Sequence, residues 1–451
     1  MDMMMGFVMG LVLYGIMIPM YFFAANLRLP KKNIILGVTV PYAHHKDPAV
    51  EAVSAVYLGR IRVLTVISLV LGLPIFFVPG SVQILILLTV FLIFIAGDMV
   101  IFARSNRALA TIKRQKGWAD AAPTVPAVAD FRAMEEKNRP LPRLLFLLPC
   151  LVAAIPLVFL APEIIQGTVD WGQVIGYGVT VITLPLLFVL GEAIRRQNAE
   201  IVGTNSDVNV VLTRIRRREY LRCMALCAWL LAITALLIWF QTVVSEFLFL
   251  GVIVVLSIVV TVYAFKAEFA VRRAQEKFTQ LVGDTLSVDD DQYWLWGLFY
   301  YNRDDKRLMI KDRIGMNMSL NLGRPVGLVL MLLSGVILLA MPLVGVWTMA
   351  EEFSPISYSV EGNVVTASHL WSRQFDLGEN FEAELLDTLP TGIRTNGTSI
   401  GTLRRGNFTF QGIGSAWVLF HTDETPFIVL TRENGQVLIF NFDPAFEPLL
   451  G

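Results

Sequence analysis

Hydrophobic residues along this chain gather in eight long stretches that are separated by polar segments. Each stretch has roughly 20 residues, the length that an α-helix needs to cross the hydrocarbon core of a bilayer. The pattern therefore predicts a polytopic membrane bundle of about eight transmembrane helices, and hence a mainly α fold. The predicted helices cover residues 5–25, 63–79, 82–102, 144–165, 174–194, 221–244, 247–265 and 326–348.

After the last stretch the hydrophobic pattern changes to a period of two, which is typical of strands with one buried face. Asn434-Gly435 is the strongest hairpin signal in this part of the chain. Residues 349–451 are therefore predicted to form an all-β domain. Seven short strands are predicted at 356–360, 364–368, 381–386, 407–411, 416–421, 427–431 and 437–442, with a closing turn at 444–450.

A second β pattern lies between the last two hydrophobic stretches, at residues 266–325. The segment is rich in tryptophan and tyrosine, whose rings are enriched at the membrane–water interface. The basic side chains beside these rings would face lipid phosphates. The segment is therefore predicted to be a small, interface-packed β insertion with strands at 293–301, 307–313 and 316–322. Its candidate functional side chains are Trp294, Trp296, Tyr300, Tyr301 and Arg307.

The connection after the first helix has a pattern of its own. Residues 34–41 are apolar and β-branched, which predicts one strand that ends in a turn at Pro41. Asp47-Pro48 predicts the start of a helix, with Asp47 as the cap and Pro48 at the first helical position.

Lysine and arginine follow a strict alternation along the predicted helices. They occur in the connections at 26–62, 103–143, 195–220 and 266–325, and they are absent from the connections at 80–81, 166–173 and 245–246. Basic loops stay on the cytoplasmic side, so the N-terminus and the C-terminal domain are predicted to lie outside. That domain has thirteen acidic residues, five arginines and no lysine, which fits the outer face better than a surface of anionic lipid.

These patterns divide the chain into four parts. Residues 1–265 form a seven-helix membrane region, 266–325 a cytoplasmic β insertion, 326–348 the eighth helix, and 349–451 an extracytoplasmic β domain.

Composition supports a membrane protein and offers no catalytic or metal-binding pattern. Hydrophobic residues make up 55% of the chain and charged residues 16%, against about 25% charged residues in soluble proteins. Two of the four histidines fall on each predicted side of the membrane, and the three cysteines have no further metal ligands nearby. We therefore expect no enzyme, no catalytic residue, no metal and no cofactor. The expected partner is the lipid bilayer, and no nucleic acid is expected.

Three helix pairs share a pattern in which the returning helix ends with an acid that is followed by bases. The acids are Asp98, Glu192 and Glu268. In one interpretation they stabilise their own helices, as Glu192 and Glu268 each have an arginine four residues later. In the other, the three acids line an inner vestibule, as in a proton or cation pathway. The sequence leaves both interpretations open.

Two cytoplasmic segments resemble known families. Gly37-Val38-Thr39-Val40-Pro41 stands where the SdpI-like multi-pass membrane proteins of bacteria have a Gly-Val-Arg-Thr-Pro type motif, although the arginine is missing here. The segment GLFYYN at 297–302, followed by an Asp-Asp pair and an arginine, looks like a conserved cytoplasmic domain of unknown function found in such proteins.

A third resemblance lies in the C-terminal domain. The stretch from Leu389-Pro390 through Arg394 to Gly406-Asn407-Phe408, together with the seven predicted strands, is similar to the bacterial PH-like domains. That likeness implies binding or assembly without catalysis.

These resemblances imply a multi-pass protein of the bacterial cell membrane. The SdpI-like family is associated with immunity to secreted toxic peptides and with membrane-based signalling. We therefore expect a non-enzymatic membrane protein for sensing, signalling or immunity, with an extracellular peptide or envelope ligand at the C-terminal domain. The alternative is a small-solute or ion transporter that is built from the repeated helix hairpins.

Overall fold

The structure, a computed structural model, describes most of the chain. The described residues are 2–31, 33–118, 130–140, 142–166, 171–196, 199, 205–240, 246–282, 289–314 and 318–450. Several predicted segments lie partly outside these ranges: the helix at 221–244, the strand at 316–322, the insertion at 266–325, and the connections at 103–143, 166–173, 195–220 and 245–246.

Helices dominate the chain up to Phe353. Six of the described helices are long and apolar enough to cross a membrane, namely α1, α2, α3, α8, α9 and α10, and the apolar parts of α5–α6 and α7 are shorter. The prediction of a mainly helical, multi-pass membrane protein is therefore confirmed. The described helices are α1 (Asp2–Asn26), α2 (Pro48–Gly72), α3 (Gly80–Gln115), α4 (Phe131–Asn138), α5 (Leu144–Ala153), α6 (Leu157–Gln166), α7 (Trp171–Arg196), α8 (Ser206–Trp239), α9 (Glu246–Val282) and α10 (Pro325–Phe353).

The helix predicted at 144–165 is broken in the middle. Helix α5 ends at Ala153 and α6 begins at Leu157. Between them the Ile155 amide donates to the Val152 carbonyl, a tighter turn than that of an α-helix. Pro156 explains the break, because its nitrogen has no hydrogen to continue the α-helical ladder.

The second hydrophobic stretch also differs from its prediction. Helix α2 begins at Pro48, and the Asp47 carboxylate accepts a hydrogen bond from the Ala49 amide at 2.9 Å, which confirms the predicted cap. The helix then runs without a break to Gly72, and a 3₁₀ turn follows at Leu73–Phe76. The prediction of a separate helix at 63–79 is therefore wrong at both ends. Similarly, the boundary predicted after residue 265 falls inside α9.

Two predicted single strands are hairpins instead. The segment 34–41 forms β1 (Ile34–Ile35) and β2 (Val38–Thr39), and the segment 293–301 forms β3 (Trp294–Leu295) and β4 (Phe299–Tyr300). The turn residues Leu36-Gly37 and Trp296-Gly297 all have positive φ, from 48° to 75°. Two successive positive φ values define the type I′ turn, which reverses a two-stranded ribbon. A third ribbon pairs β5 (Met309–Lys311) with β6 (Met318–Leu320).

The β-rich C-terminal region, which we name the tail domain, contains two sheets. One has the order β7-β8-β9 and the other β10-β14-β15-β13-β12-β11, and all pairs are antiparallel except β13 with β15. The Asn434-Gly435 hairpin is confirmed between β14 and β15. The strands are β7 (Ser357–Glu361), β8 (Val364–Ser368), β9 (Ser372–Asp376), β10 (Phe381–Leu386), β11 (Gly392–Ile400), β12 (Leu403–Phe410), β13 (Gly414–His421), β14 (Phe427–Arg432) and β15 (Val437–Asn441).

The core of the tail domain lies mainly on two central strands of the large sheet. Both faces of β14 and β15 are buried, and one of two apolar clusters packs against the small sheet. In contrast, Phe375 is the single buried residue of β9, and β11 has no fully buried residue. Strands β9 and β11 are the two that are absent from the seven predicted, although β7 and β10, which also have no fully buried residue, were predicted. A 3₁₀ turn at Pro444–Leu449 ends the domain, close to the predicted closing turn.

Helix α10 connects the tail domain to the helical bundle by running antiparallel along α3. Gly345 of α10 lies directly against Leu85 of α3, where a Cβ would come within 2.5 Å of the Leu85 α carbon. Nearer the tail domain, the Ser81 amide of α3 donates to the Glu352 carboxylate at 3.0 Å. The tail domain therefore sits at the end of α3 that is opposite Lys113.

Candidate functional site

The first candidate region is a contact between two hairpin tips, which we name the hairpin junction. It consists of Leu36-Gly37 from β1–β2, Trp296-Gly297 from β3–β4, and Asn106 of α3. A Cβ on Gly37 would lie 2.9 Å from the Gly297 α carbon, so only glycines allow this approach. The Asn106 side-chain amide donates to the Leu36 carbonyl at 2.9 Å and holds the first tip on α3.

Buried charges lie beside the hairpin junction. The Lys113 ammonium donates to Asp289 at 2.5 Å and to Asp291 at 2.7 Å. Thr39 donates to the Asp291 carboxylate from its hydroxyl at 2.7 Å and from its amide at 3.0 Å. Burial opposes ionisation of Asp291, but the positive charges of Arg313 and Lys113 outweigh it, so the pKa of Asp291 is below its ordinary value.

Arg313 ties the insertion to the first connection. Its guanidinium donates to the Gly37 carbonyl at 2.8 Å and to the Thr39 hydroxyl at 2.6 Å. It also forms an ion pair with Asp290 at 2.7 Å and lies over the Trp294 ring, 5.6 Å from its centroid. The Gly37–Pro41 segment, which resembles the SdpI-like motif, is therefore the surface onto which the insertion docks.

The four aromatic candidates of the insertion divide into two pairs. Trp294 and Tyr300 are 6% and 5% exposed and pack together at a centroid distance of 5.2 Å. They form a small core with Ile310, so the expectation that they face the membrane interface is wrong. Trp296 and Tyr301 are 46% and 37% exposed and remain able to face it. The sequence could not distinguish the two pairs, because the pattern at 293–301 predicted one continuous strand and not a hairpin.

Arg307 is engaged with an acid of its own turn. Its guanidinium donates to both Asp305 oxygens, at 3.0 and 2.7 Å, and the Tyr300 hydroxyl donates to the same carboxylate at 3.2 Å. The hydrogen bond from Arg307 lowers the pKa of Asp305 to about 2. Arg307 therefore stabilises the turn and does not present an uncompensated charge to lipid phosphates.

Glu268 is fully buried between two cations. The Lys31 ammonium donates to it at 3.0 Å, Arg272 at 2.8 Å and the Tyr220 hydroxyl at 3.2 Å. The pair of Glu268 with Arg272, four residues later on α9, confirms the helix-stabilising interpretation for this acid. Lys31 adds a link to the first connection that sequence reasoning missed, since the two residues are far apart in the chain.

The other two acids lie in different surroundings. Asp98 of α3 lies beside the Tyr57 hydroxyl, and its Oδ1 atom is buried with no hydrogen-bond partner among the described residues. Glu192 is half-buried on α7. The contacts of Glu268 are with Lys31, Tyr220 and Arg272, and the shared acidic vestibule stays a prediction.

The second candidate region is a cleft of about 450 Å³ in the tail domain. We name it the tail cleft. It lies between β9 of the small sheet and β11–β13 of the large sheet, at the end of α10. No sequence motif singled it out, and the one available signal was the rarity of basic residues in this domain. Its lining includes the side chains of Glu351, His369, Trp371, Arg373, Arg405 and Trp417.

Two arginines give the tail cleft its electrostatic character. Arg405 donates to the Glu351 carboxylate at 2.9 Å, and its guanidinium lies 4.9 Å from the centroid of the Trp371 ring. The guanidinium of Arg373 lies 5.1 Å from the centroid of the Trp417 ring. Within the described part of the chain, no carboxylate forms an ion pair with Arg373.

His369 completes the wall of the tail cleft beside α10. Its Nε2 donates to the Glu351 carbonyl at 2.8 Å, which leaves Nδ1 as the acceptor nitrogen. Burial and the charge of Arg405 lower the pKa of His369, although the hydrogen bond to Glu351 opposes them. The ring is therefore neutral near pH 7.

Among the described residues, no group of three or more histidine, cysteine, aspartate or glutamate side chains is arranged to hold a metal ion. Comparisons with protein-family models, with curated proteins and with solved structures found no match to this chain. The SdpI-like and PH-like resemblances therefore stay predictions.

Proposed function

We propose that this chain is a non-enzymatic sensor of the bacterial cell membrane, with eight spans and an outer, PH-like tail domain that receives an envelope ligand or a secreted peptide. The hairpin junction on the cytoplasmic side is the output. Signalling or immunity toward such ligands, as in the SdpI-like proteins, is the corresponding biological role.

The neighbours Glu351 and Glu352 carry this proposal. Glu351 lines the tail cleft, where Arg405 and the Thr398 hydroxyl each donate to it at 2.9 Å. Glu352, the next residue of α10, accepts from the Ser81 amide at the start of α3. A ligand that shifts Glu351 would therefore act directly on the contact between α10 and α3.

The opposite ends of the same two helices support a cytoplasmic output. Lys113 near the end of α3 forms ion pairs with Asp289 and Asp291. At the start of α10, Arg324 donates to the Asp305 carbonyl at 2.9 Å, and Gly327 lies directly against Asn321. The insertion between residues 289 and 324 is thus attached to α10, whose other end lines the tail cleft, and to α3, whose other end contacts Glu352.

Hydrogen exchange on the full-length protein in lipid nanodiscs tests this coupling. In Glu352→Ala, which removes the acceptor for Ser81, we expect severalfold faster amide exchange at the hairpin junction, on the far side of the membrane. Glu361→Ala, an exposed acid of β7, is the matched control and should leave the junction unchanged. Faster exchange that stays confined to the surroundings of Ser81 would refute the coupling.

Labelling of intact cells tests the orientation. In a variant without the three native cysteines, Ser399→Cys in the tail domain should react with an impermeant thiol reagent. Asp304→Cys, in the exposed turn of the insertion, should react only after the cells are opened. The reversed pattern would place the tail cleft inside the cell and contradict a sensor of outer ligands.

Asp98 favours the transporter as a second candidate function. An ionisable residue within a membrane span is costly and commonly marks an ion or proton pathway, and Oδ1 of Asp98 is buried without a partner among the described residues. Flux measurements in proteoliposomes separate the two functions. A transporter predicts ion or solute flux that Asp98→Asn abolishes, whereas the sensor predicts no flux in either protein.

A further inference from the structure

The tail domain concentrates positive charge in one place. It has thirteen acidic residues, no lysine and only five arginines, and two of those arginines, Arg373 and Arg405, line the tail cleft. A domain with this excess of acid repels anions over most of its surface. The cleft is therefore the place where its chemistry favours a negatively charged group.

The two arginines differ in how far they are neutralised. Arg405 forms an ion pair with Glu351, whereas Arg373 has no such pair within the described residues. The guanidinium of Arg373 lies over the rings of Phe375 and Trp417, 5.1 Å from each centroid. Stacking uses the face of a guanidinium and leaves its N–H edge available for bidentate hydrogen bonds to a phosphate or carboxylate.

The position of the cleft narrows the choice of ligand. Trp371 at its wall packs against Trp347 of α10, with ring centroids 5.3 Å apart, and both indoles are about half exposed. Trp347 lies in the last turns of a membrane-length helix, just before Glu351 and Glu352. Tryptophan at this depth is typical of the membrane–water interface, so the tail cleft opens beside the surface of the bilayer.

We propose that the tail cleft binds the phosphate-bearing head group of an anionic membrane lipid. Arg373 holds the phosphate through its N–H edge, and the indoles of Trp371 and Trp347 contact the glycerol and the upper part of the acyl chains. A volume of about 450 Å³ is sufficient for such a head group. This assignment names the ligand class of the proposed sensor and rests on that function for its purpose.

Native mass spectrometry of the full-length protein tests the assignment. The protein is released from micelles that contain equal amounts of phosphatidylglycerol and phosphatidylcholine, and the bound lipids are counted. The wild-type protein should retain one more phosphatidylglycerol than Arg373→Gln, whose affinity for that lipid should fall about tenfold. Arg394→Gln removes another exposed charge, from β11 and outside the cleft, and should match the wild type.

Two further arms separate the sources of the phosphate. Glycerol phosphate and inorganic phosphate should displace the lipid only weakly, because neither contacts the indoles. Displacement by either at concentrations comparable to the lipid would overturn the lipid assignment in favour of a soluble anion. The lipid assignment would also be overturned if Arg394→Gln lost as much affinity for phosphatidylglycerol as Arg373→Gln, or if the wild-type protein showed no preference for the anionic lipid. Preferential binding of a soluble acidic peptide would do the same.

Failure of this assignment is distinct from failure of the proposed sensor. The hydrogen-exchange comparison of Glu352→Ala uses no added ligand. If Glu352→Ala shows the coupling but the protein shows no preference for the anionic lipid, the lipid assignment is wrong and the proposed sensor stands. If the protein prefers the anionic lipid but Glu352→Ala shows no coupling, the lipid site stands and the proposed sensor is wrong.

Discussion

Gly37 and Gly297 meet tip to tip, although one precedes the second helix and the other precedes the last. Both have positive φ, at 75° and 73°. A Cβ added to Gly37 would lie 2.9 Å from the Gly297 α carbon. A Cβ added to Gly297 would lie 2.4 Å from the side-chain amide nitrogen of Asn106. The docking of the insertion on the bundle therefore depends on the absence of two side chains.

The first prediction concerns Gly297→Ala. An L-residue in this left-handed conformation costs about 1–2 kcal/mol, and the new methyl group would also collide with Asn106. We expect a loss of at least about 2 kcal/mol in the free energy of docking. Limited proteolysis of the purified protein should show faster cleavage between residues 289 and 314.

Gly117→Ala is the control for that prediction. Gly117 follows α3 and has a φ of 66°, but nothing lies within 4 Å of the position of its Cβ. The Gly117→Ala variant therefore has the energetic cost of a positive φ but no steric clash of its new methyl group. Equal cleavage rates in the two variants would mean that the contact with Gly37 and Asn106 does not hold the insertion.

The second prediction concerns Lys113. Its side chain is 6% exposed and pairs with Asp289 and Asp291, so Lys113→Gln removes the cation of Asp289 and leaves Asp291 with Arg313 alone. Breaking a buried pair in this way typically costs about 3–5 kcal/mol. We expect a clearly lower midpoint of thermal unfolding in nanodiscs. Lys116→Gln removes a cation that is 41% exposed and pairs with Asp47, and such surface pairs contribute about 0–1 kcal/mol. Similar midpoints for both variants would contradict the prediction.

The sequence predicted the parts of this fold that depend on local pattern. Runs of roughly 20 apolar residues located the membrane-length helices, and Asn434-Gly435 located a hairpin because asparagine and glycine suit its turn. The turns at Leu36-Gly37 and Trp296-Gly297 were missed, because leucine and tryptophan rarely adopt positive φ. Tertiary contact between the tips decides those turns.

The candidate sites were harder to predict because they join distant segments. Glu268 was a candidate because of its spacing from Arg272, but its partner Lys31 lies on the connection after α1. The tail cleft unites Glu351 of α10 with Arg373 of β9 and Trp417 of β13, and strand β9 was not predicted. The hydrophobic periodicity of a single helix or strand carries no information about contacts between distant segments.

The third prediction concerns Glu268→Gln. The carboxylate is fully buried and accepts from Lys31 and Arg272, so the variant removes the negative charge that these two buried cations share. We expect about 3–5 kcal/mol of destabilisation, measured as the unfolding free energy of the full chain in mixed micelles. Glu276→Gln, an exposed position two turns later on α9, should change little. A Glu268→Gln protein as stable as the Glu276→Gln protein would show that the cations find other partners.

The last prediction concerns the pH dependence of the tail domain. Burial and the charges of Arg405 and His421 lower the pKa of His369 below its ordinary value of about 6.5, against the raising effects of the Glu351 carbonyl and carboxylate. The unfolded chain therefore binds a proton at a higher pH than the folded domain does. Stability should be constant above about pH 7 and should fall as the pH drops below about 6.5, because protonation then favours the unfolded state.

Thermal unfolding of the full-length protein, followed by tryptophan fluorescence from pH 7.5 to pH 5, measures this dependence. The decline should be smaller in His369→Gln, which cannot take up the proton. The charge of His421 also lowers the pKa of His369, so His421→Gln should reduce the decline by less than His369→Gln does. A decline that is equally steep in His369→Gln would assign the pH dependence to other groups.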